Sequence, residues 1–348
     1  MKSALRNRLT WLVNMYNLLL ASYLLIRFVD ISFVGISNEG WLGLLHTFAL
    51  WLFIPLLFIV PWVATLQAKR TGIVACTLLM LGVSQLAPLP GFQHSAAPHD
   101  IRVLTYNLRS DNPTITDSIN WIHQQAADVL VLQEVTAQHH RALHSLADRY
   151  PYTAVTPNNI YLLSRFPIVE QAPVILEERT GKNNDWVALR AVIDIDDTHI
   201  AIYGVHLTSP LTHRQVIGYC PADTVLKYLT YNEARRNAQI TTLLELATNE
   251  DIPVILAGDF NLSHTSPIIN TFHDAGWQDT YRLVGRDWGM TWSHASLKLP
   301  ILRIDYVWSN ALLTPLRMVR GSFNGSDHLP LVVDLQITPQ ETTLSDKP

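Results

Sequence analysis

Eight residues of types that hold cations or move protons recur at the ends of short apolar runs: Asn107, Glu134, His206, Asp259 with Asn261, Asp305, and Asp327 with His328. Glu134 and Asp327 are hard oxygen donors and Asn107 is a neutral one. Such a set suits a partly hydrated Mg2+, with Mn2+ as a substitute. No Cys or His cluster has the spacing of a zinc site. Each residue alone has an ordinary structural reading: Asn107 caps a turn, Glu134 opens a helix, Asp259 turns the chain after Gly258. A polar side chain at the buried end of an apolar run is destabilising unless it is paired or bound to a ligand. Strand ends also converge in space, so their joint occurrence points to one shared site.

The elements that must position these residues are short β-rich runs alternating with helical patterns. Strands are expected over 101–108, 128–135, 160–167, 186–195, 198–207, 253–261, 302–308 and 329–337, with helices over about 114–126, 136–148, 228–249 and 265–275. Strand–helix–strand units mixed with direct strand neighbours, such as 186–195 and 198–207, predict an α/β fold with mixed sheets.

The first 98 of the 348 residues are different in kind. They hold six cations and two acids, which leaves 19 cations and 27 acids, a net of −8, for residues 99–348. Three apolar runs, about 9–29, 41–66 and 73–89, account for the positive mean hydropathy of +0.14. They are expected to be three transmembrane helices. Trp11, Trp41 and Trp62 lie near run ends, as in an interfacial aromatic belt. The basic start fits a signal peptide, but the first apolar region is too long and no clear cleavage site follows it. Lys2, Arg6 and Arg8 before the first run, and Lys69 with Arg70 before the third, put those ends in the cytoplasm by the positive-inside rule. Three crossings then leave the remainder outside, and the orientation depends on the third run crossing. Residues 91–99 read as a linker, 100–338 as one large domain and 339–348 as a polar, frayed tail. Cys76 lies in an apolar run and Cys220 in the polar remainder, so there is no disulfide framework.

The segments TYN at 105–107, LQEV around Glu134, VHL around His206, GDFN at 258–261, RIDYV around Asp305 and SDHLP at 326–330 resemble, in order and spacing, the motifs of the endonuclease/exonuclease/phosphatase superfamily. The resemblance covers about residues 100–337. It implies a four-layered α/β sandwich, two mixed β-sheets face to face with helices outside, and a metal-dependent phosphoric ester hydrolase: a phosphatase, phosphodiesterase or nuclease. A phosphoester resists attack because its oxygens are negative, so hydrolysis needs a cation on the phosphate, an activated water and help for the leaving oxygen. The resemblance gives Asp259 the attacking water and Asn261 a phosphate oxygen. It gives His206 and His328 hydrogen bonds or protons to the phosphate, and pairs Asp305 with His328. His139, His140, His144 and His213 read as solvated surface, and Arg165 reads equally as a substrate contact or a structural ion pair.

Fold and metal do not fix the substrate. The −8 domain has no evident basic stripe for a polyanionic duplex. The stretch Thr208–Arg236 mixes apolar and cationic residues and reads either as a lid against lipid headgroups or as an ordinary packed insertion. Membrane-tethered bacterial members related to teicoplanin-resistance proteins look similar in layout. The expected function is therefore a membrane-anchored, Mg2+-dependent phosphoesterase at the outer face of the cytoplasmic membrane. Its substrate would be a lipid-linked phosphate, pyrophosphate or phosphodiester. The alternatives are a nuclease acting on DNA or RNA and a catalytically silent membrane scaffold. The expected partners are the bilayer and a phosphorylated lipid, with no protein partner. The glycosylation sequons at Asn261 and Asn324 fall at the site, which fits a bacterial envelope better than a secretory lumen.

Overall fold

The computed structural model describes residues 2–30, 40–91, 95, 97–178, 186–211, 230–294 and 298–338. Most of the expected lid, the frayed tail and His213 lie outside these residues. The chain divides into two compact units. A helical unit takes residues 1–88, 211–233 and 263–269, and a sandwich unit takes 89–210, 234–262 and 270–348.

The helical unit contains α1 (Lys2–Val29), α2 (Gly40–Thr47), α3 (Ala49–Phe53), α4 (Leu56–Thr65) and α5 (Lys69–Leu86). Among the described residues one helix, Ser3–Val29, is long and apolar enough to cross a membrane alone. The second apolar run is a bent pair of helical stretches rather than one straight helix. It breaks at Phe48, where the backbone leaves helical torsions, and Gly40–Thr47 meets Ala49–Thr65 at a 68° bend. Pro55, with no N–H to donate, stands at the second break, between α3 and α4. The third run forms the 18-residue α5, which opens with Lys69 and Arg70 and ends at Leu86. A buried polar cluster ties this unit together. His46 Nε2 lies 3.2 Å from Asp30, Tyr23 Oη lies 3.1 Å from His46 Nδ1, and Arg27 donates to the Thr265 carbonyl at 2.6 Å. Thr265 and Ser263 both donate to the Thr47 carbonyl, and the Thr47 and Tyr231 hydroxyls meet at 2.6 Å.

The sandwich unit is the expected four-layered α/β fold. Its strands are β1 (Ile101–Asn107), β2 (Val129–Gln133), β3 (Tyr152–Val155), β4 (Tyr161–Ser164), β5 (Ile168–Glu177) and β6 (Trp186–Ile195). They continue with β7 (Thr198–His206), β8 (Val254–Asp259), β9 (Gln278–Asp279), β10 (Asp305–Ser309), β11 (Leu313–Arg320) and β12 (Leu331–Ile337). One six-stranded sheet has the order β11-β12-β1-β2-β4-β3 and the other β5-β6-β7-β8-β10-β9. Only β1 with β2 and β7 with β8 run parallel; every other pairing is antiparallel.

Alternation explains the layers. In β1, Ile101 and Val103 enter the core between the sheets with Ile202, Ile255 and Val307. Leu104 and Tyr106 enter a second core under α6 (Ile115–Gln124), with Ile119 and Ile122. Both faces of the strand are buried, so apolar residues stand on each of them: Ile101 and Val103 on one, Leu104 and Tyr106 on the other. On the outer face of the other sheet, α8 (Ala234–Thr248) buries Ile240, Leu243 and Leu244. Three further short α-helices among the described residues are α7 (Ala137–Leu143), α9 (Ile269–Asp274) and α10 (Thr280–Val284). His139 does not stand on the surface. It is buried, and its ring packs against the Thr136 N–H and the Glu134 carbonyl at the start of α7.

One buried ion pair fixes the strand that delivers Asp305. Arg303 is 1% exposed, donates through both terminal nitrogens to Asp279, and lies between the rings of Tyr281 and Tyr306 at 4.5 and 4.4 Å. Burial alone would raise the Asp279 pKa, but Arg303 overrides it and holds the carboxyl below its ordinary value. Removing one partner strands a buried charge, so Arg303→Ala is expected to lower the unfolding free energy by about 3–5 kcal/mol, read from the urea midpoint. A depressed carboxyl contributes stability above its unfolded pKa and loses it as pH falls. The deficit of the variant is therefore expected to shrink as pH drops below the ordinary carboxylate range.

Candidate active site

Register gathers the residues. In the second sheet β7 and β8 pair His206 with Asp259, and β8 and β10 pair Asp259 with Asp305, which makes one row across three strand ends. In the first sheet β1 and β2 pair Asn107 with Gln133, so Glu134 emerges beside Asn107. The loop before β12 brings Ser326, Asp327 and His328. Ser326 Oγ donates to the Asn107 carbonyl at 2.7 Å and accepts from the His328 N–H, which docks this loop on the end of β1.

Asp259 is at the centre and 2% exposed. One carboxylate oxygen accepts from Asn107 Nδ2 at 3.0 Å and stands 3.7 Å from both His206 Nε2 and His328 Nε2; the other accepts the Asn261 N–H. Burial raises its pKa, to about 6, with Asp305 adding to the rise and the two histidines opposing it. Gly258, directly before it, has φ +147°, and a Cβ there would stand 1.9 Å from the Val205 carbonyl oxygen. Only glycine lets β8 deliver its carboxylate this close to β7.

His328 Nδ1 donates to Asp305 at 2.9 Å, leaving Nε2 toward Asp259. Burial alone would lower the pKa of His328; the Asp305 and Asp259 charges and the Asp305 hydrogen bond push it up to about 10. Asp305 is itself held by its backbone N–H, which donates to Thr291 Oγ1. The arrangement presents an oriented, protonated imidazole to whatever lies beside Asp259.

Glu134 has the left-handed φ of +57°, the kind of backbone strain found at functional sites. One of its oxygens accepts from the Ser110 N–H and hydroxyl, the other from Asn107 at 3.1 Å. Burial would raise its pKa; His206 and these hydrogen bonds hold it down to about 2. Asp327 accepts from Trp292 Nε1 at 3.2 Å. Two carboxylates held from outside in this way are hard oxygen donors of the kind a divalent cation takes. The Asn107 amide nitrogen bridges Glu134 and Asp259, and its oxygen accepts the Arg109 N–H. Asp259, Asp305 and His328 also lie close enough together to hold an ion, although His328 Nδ1 is already engaged by Asp305.

Asn261 donates its amide to the Leu207 carbonyl and ties the ends of β7 and β8 together. Arg165 is a structural pair: it bonds Asp128 at 2.6 Å, at the end of β2 opposite Glu134. Ser110, Thr291, Trp292 and Ser326 support the site and were not anticipated. Ser326 alone had a signal, as the first residue of SDH.

The family model for the Endonuclease/Exonuclease/phosphatase family matches residues 104–328. The chain belongs to this family. Family members are metal-dependent phosphoester hydrolases, so the chain is an enzyme of that class. Solved structures share the fold. An endonuclease/exonuclease/phosphatase from Beutenbergia cavernae is 22% identical with a TM-score of 0.52, over 69% of this chain and 72% of its own. One from Bacteroides vulgatus is 16% identical with a TM-score of 0.55, over 68% and 98%. A humanised D. rerio TDP2 is 18% identical with a TM-score of 0.53, over 68% and 98%. Among curated proteins, none matches the sequence.

Asp305→Asn keeps the shape of the site but removes the charge that orients His328. In this family enzyme the substitution is expected to lower kcat on a generic phosphodiester by about 10²–10⁴-fold, with an unchanged circular dichroism spectrum. A loss below about twofold would mean that this imidazole does no proton work.

Proposed function

We propose that the chain is a membrane-anchored, Mg2+-dependent phosphoesterase that hydrolyses a lipid-linked phosphate, pyrophosphate or phosphodiester at the outer face of the cytoplasmic membrane. The observation that carries it is the apolar surface of the helical unit. Trp11, Leu18, Leu19 and Phe28 on α1, Phe58 on α4 and Ile73 on α5 are all exposed, more apolar surface than a water-facing unit leaves open.

The contacts inside this unit support the orientation. Asn14 and Asn17, midway along α1, bond Thr71 at the start of α5. Arg27, at the end of α1, bonds Thr265, and Leu86, at the end of α5, accepts from the neighbouring His264. Helices α1 and α5 therefore run the same way, as an odd number of crossings requires. Their basic starts share one end, the cytoplasmic one by the positive-inside rule, and residues 263–265 share the other.

In this reading Glu134 and Asp327, backed by Asn107, hold the Mg2+, which supplies the positive charge the phosphate oxygens need. Asp259 orients or deprotonates the attacking water, His206 and His328 donate to phosphate oxygens, Asn261 steadies this edge of the site, and Asp305 positions His328. The −8 charge of the later residues favours a lipid-borne phosphate over a nucleic acid.

Purified protein in detergent is expected to turn over at least one of polyprenyl pyrophosphate, glycerophospholipid or sphingomyelin with Mg2+. EDTA should abolish the reaction, and Asp259→Asn should weaken it by at least about 10²-fold. Metal-dependent nicking of plasmid DNA with no lipid turned over would contradict the proposal in favour of a nuclease. A reporter fused after Ser95 is expected to be active only outside the cytoplasm.

A further inference from the structure

Beside Asp327 the sandwich unit carries a cleft of about 650 Å³ that the hydrolytic residues do not otherwise use. One wall is α6, whose two faces divide cleanly. Ile115, Ser118, Ile119 and Ile122 are buried, while Asp117, Asn120, Trp121 and Gln124, spaced i, i+3, i+4 and i+7, line the cleft. The opposite wall is the loop that ends in Asp327.

The two walls are locked to each other. Ser118 Oγ donates to the Asn324 carbonyl, and Ser326 Oγ to the Asn107 carbonyl. Gly325, at φ +96°, leaves no room for a Cβ, which would stand 2.1 Å from Asn112 Oδ1. Gly321 packs directly on the indole, since a Cβ there would lie 2.5 Å from Trp121 Cζ2 and 2.7 Å from Pro330 Cγ. The Trp121 ring is thereby held half-buried at a fixed place relative to Asp327.

The cleft's chemistry is close to neutral. Its cationic side chains are Arg109, already bonded to Asp111 at 2.5 Å, and Lys298, with His294 and the acid Asp117 also in the lining. A run of nucleotide phosphates finds no excess of cations here. Instead, Asn120 and Gln124 flank the indole with amides that both donate and accept, as hydroxyl groups do. A flat apolar ring bordered by such amides matches a hydroxylated ring with one apolar face.

We propose that this cleft binds a neutral sugar ring esterified to the scissile phosphate, packed on Trp121 and hydrogen-bonded by Asn120 and Gln124. The inference rests on the phosphoesterase reading and adds to it the class of head group. Trp121, Asn120 and Gln124 are specificity residues and take no part in the hydrolytic step.

The test uses the full chain in detergent with Mg2+ and three probes: octyl phosphate esterified to glucose, octyl phosphate esterified to glycerol, and a thymidine dinucleotide. The glucose ester is expected to be preferred. Trp121→Ala and the double variant Asn120→Ala/Gln124→Ala are each expected to raise KM for it at least about tenfold with kcat within about twofold, and Trp121→Phe to recover most of the loss. Both variants should hydrolyse the glycerol ester at the wild-type rate, which also shows that they fold. Metal-dependent hydrolysis of the glycerol ester with no preference for the glucose ester would overturn the head-group inference and leave the phosphoesterase reading standing. Preference for the dinucleotide, lost in the same variants, would overturn it in favour of a base-binding cleft. Hydrolysis of none of the three probes would overturn both.

Discussion

The site depends on a carboxylate buried where two sheets meet. Asp259 is 2% exposed and reaches across from its own sheet to Asn107 of the other. A carboxylate in such a place is tolerable only when its surroundings supply hydrogen bonds and positive charge. Those surroundings are Asn107 donating, His206 and His328 each 3.7 Å away, and the Asn261 N–H on the far oxygen. Gly258 permits the approach, the β7–β8 register supplies His206, the end of β1 supplies Asn107, and the SDH loop supplies His328. The residues proposed to act on the phosphate are thus the ones that keep Asp259 tolerable where it is buried.

The geometry also separates two kinds of work. Glu134 and Asp327 are each held by neutral donors, Ser110 and Asn107 for the first and Trp292 for the second, which leaves their charge for a cation. His328 and Asp305 are bonded to each other and directed at Asp259. Asn107 is the bridge between the two sets, with its amide on Glu134 and on Asp259. In the proposed reading Glu134 and Asp327 would hold the ion while His328 keeps its bond to Asp305, so the two roles would not compete for the same side chains.

The legible part of the fold was its centre. The eight expected strands all form, and all belong to sheet interiors or pair with them: β1, β2, β4, β6, β7, β8, β10 and β12. The four that were missed, β3, β5, β9 and β11, are the four sheet edges. Edge strands meet different demands. β5 is largely exposed and carries Pro173, and β11 carries Pro315 beside a bulge, so neither shows a clean alternation. The site was legible for a related reason, because a polar residue ending a buried strand has few ordinary explanations. Its supports were not, since Ser110, Thr291 and Trp292 are common residue types placed by tertiary structure alone. His139 was misread because a histidine at the third position after Thr136 looks like surface, whereas its ring closes the helix start. In the N-terminal unit hydropathy located the helices but not the break at Phe48, a local change of backbone torsion with no composition signal.

The helical unit takes back part of the later chain. Leu262 ends one stretch of the sandwich unit, and Ser263–Ile269 belongs with the helices. The central claim remains the division of labour around Asp259. It is tested most directly by the anomalous diffraction of a crystal grown with Mn2+ in place of Mg2+. The account places the ion about 2.0–2.2 Å from carboxylate oxygens of Glu134 and Asp327, with the His328–Asp305 hydrogen bond intact. An ion seated instead on Asp259, Asp305 and His328, with that hydrogen bond broken, would contradict it.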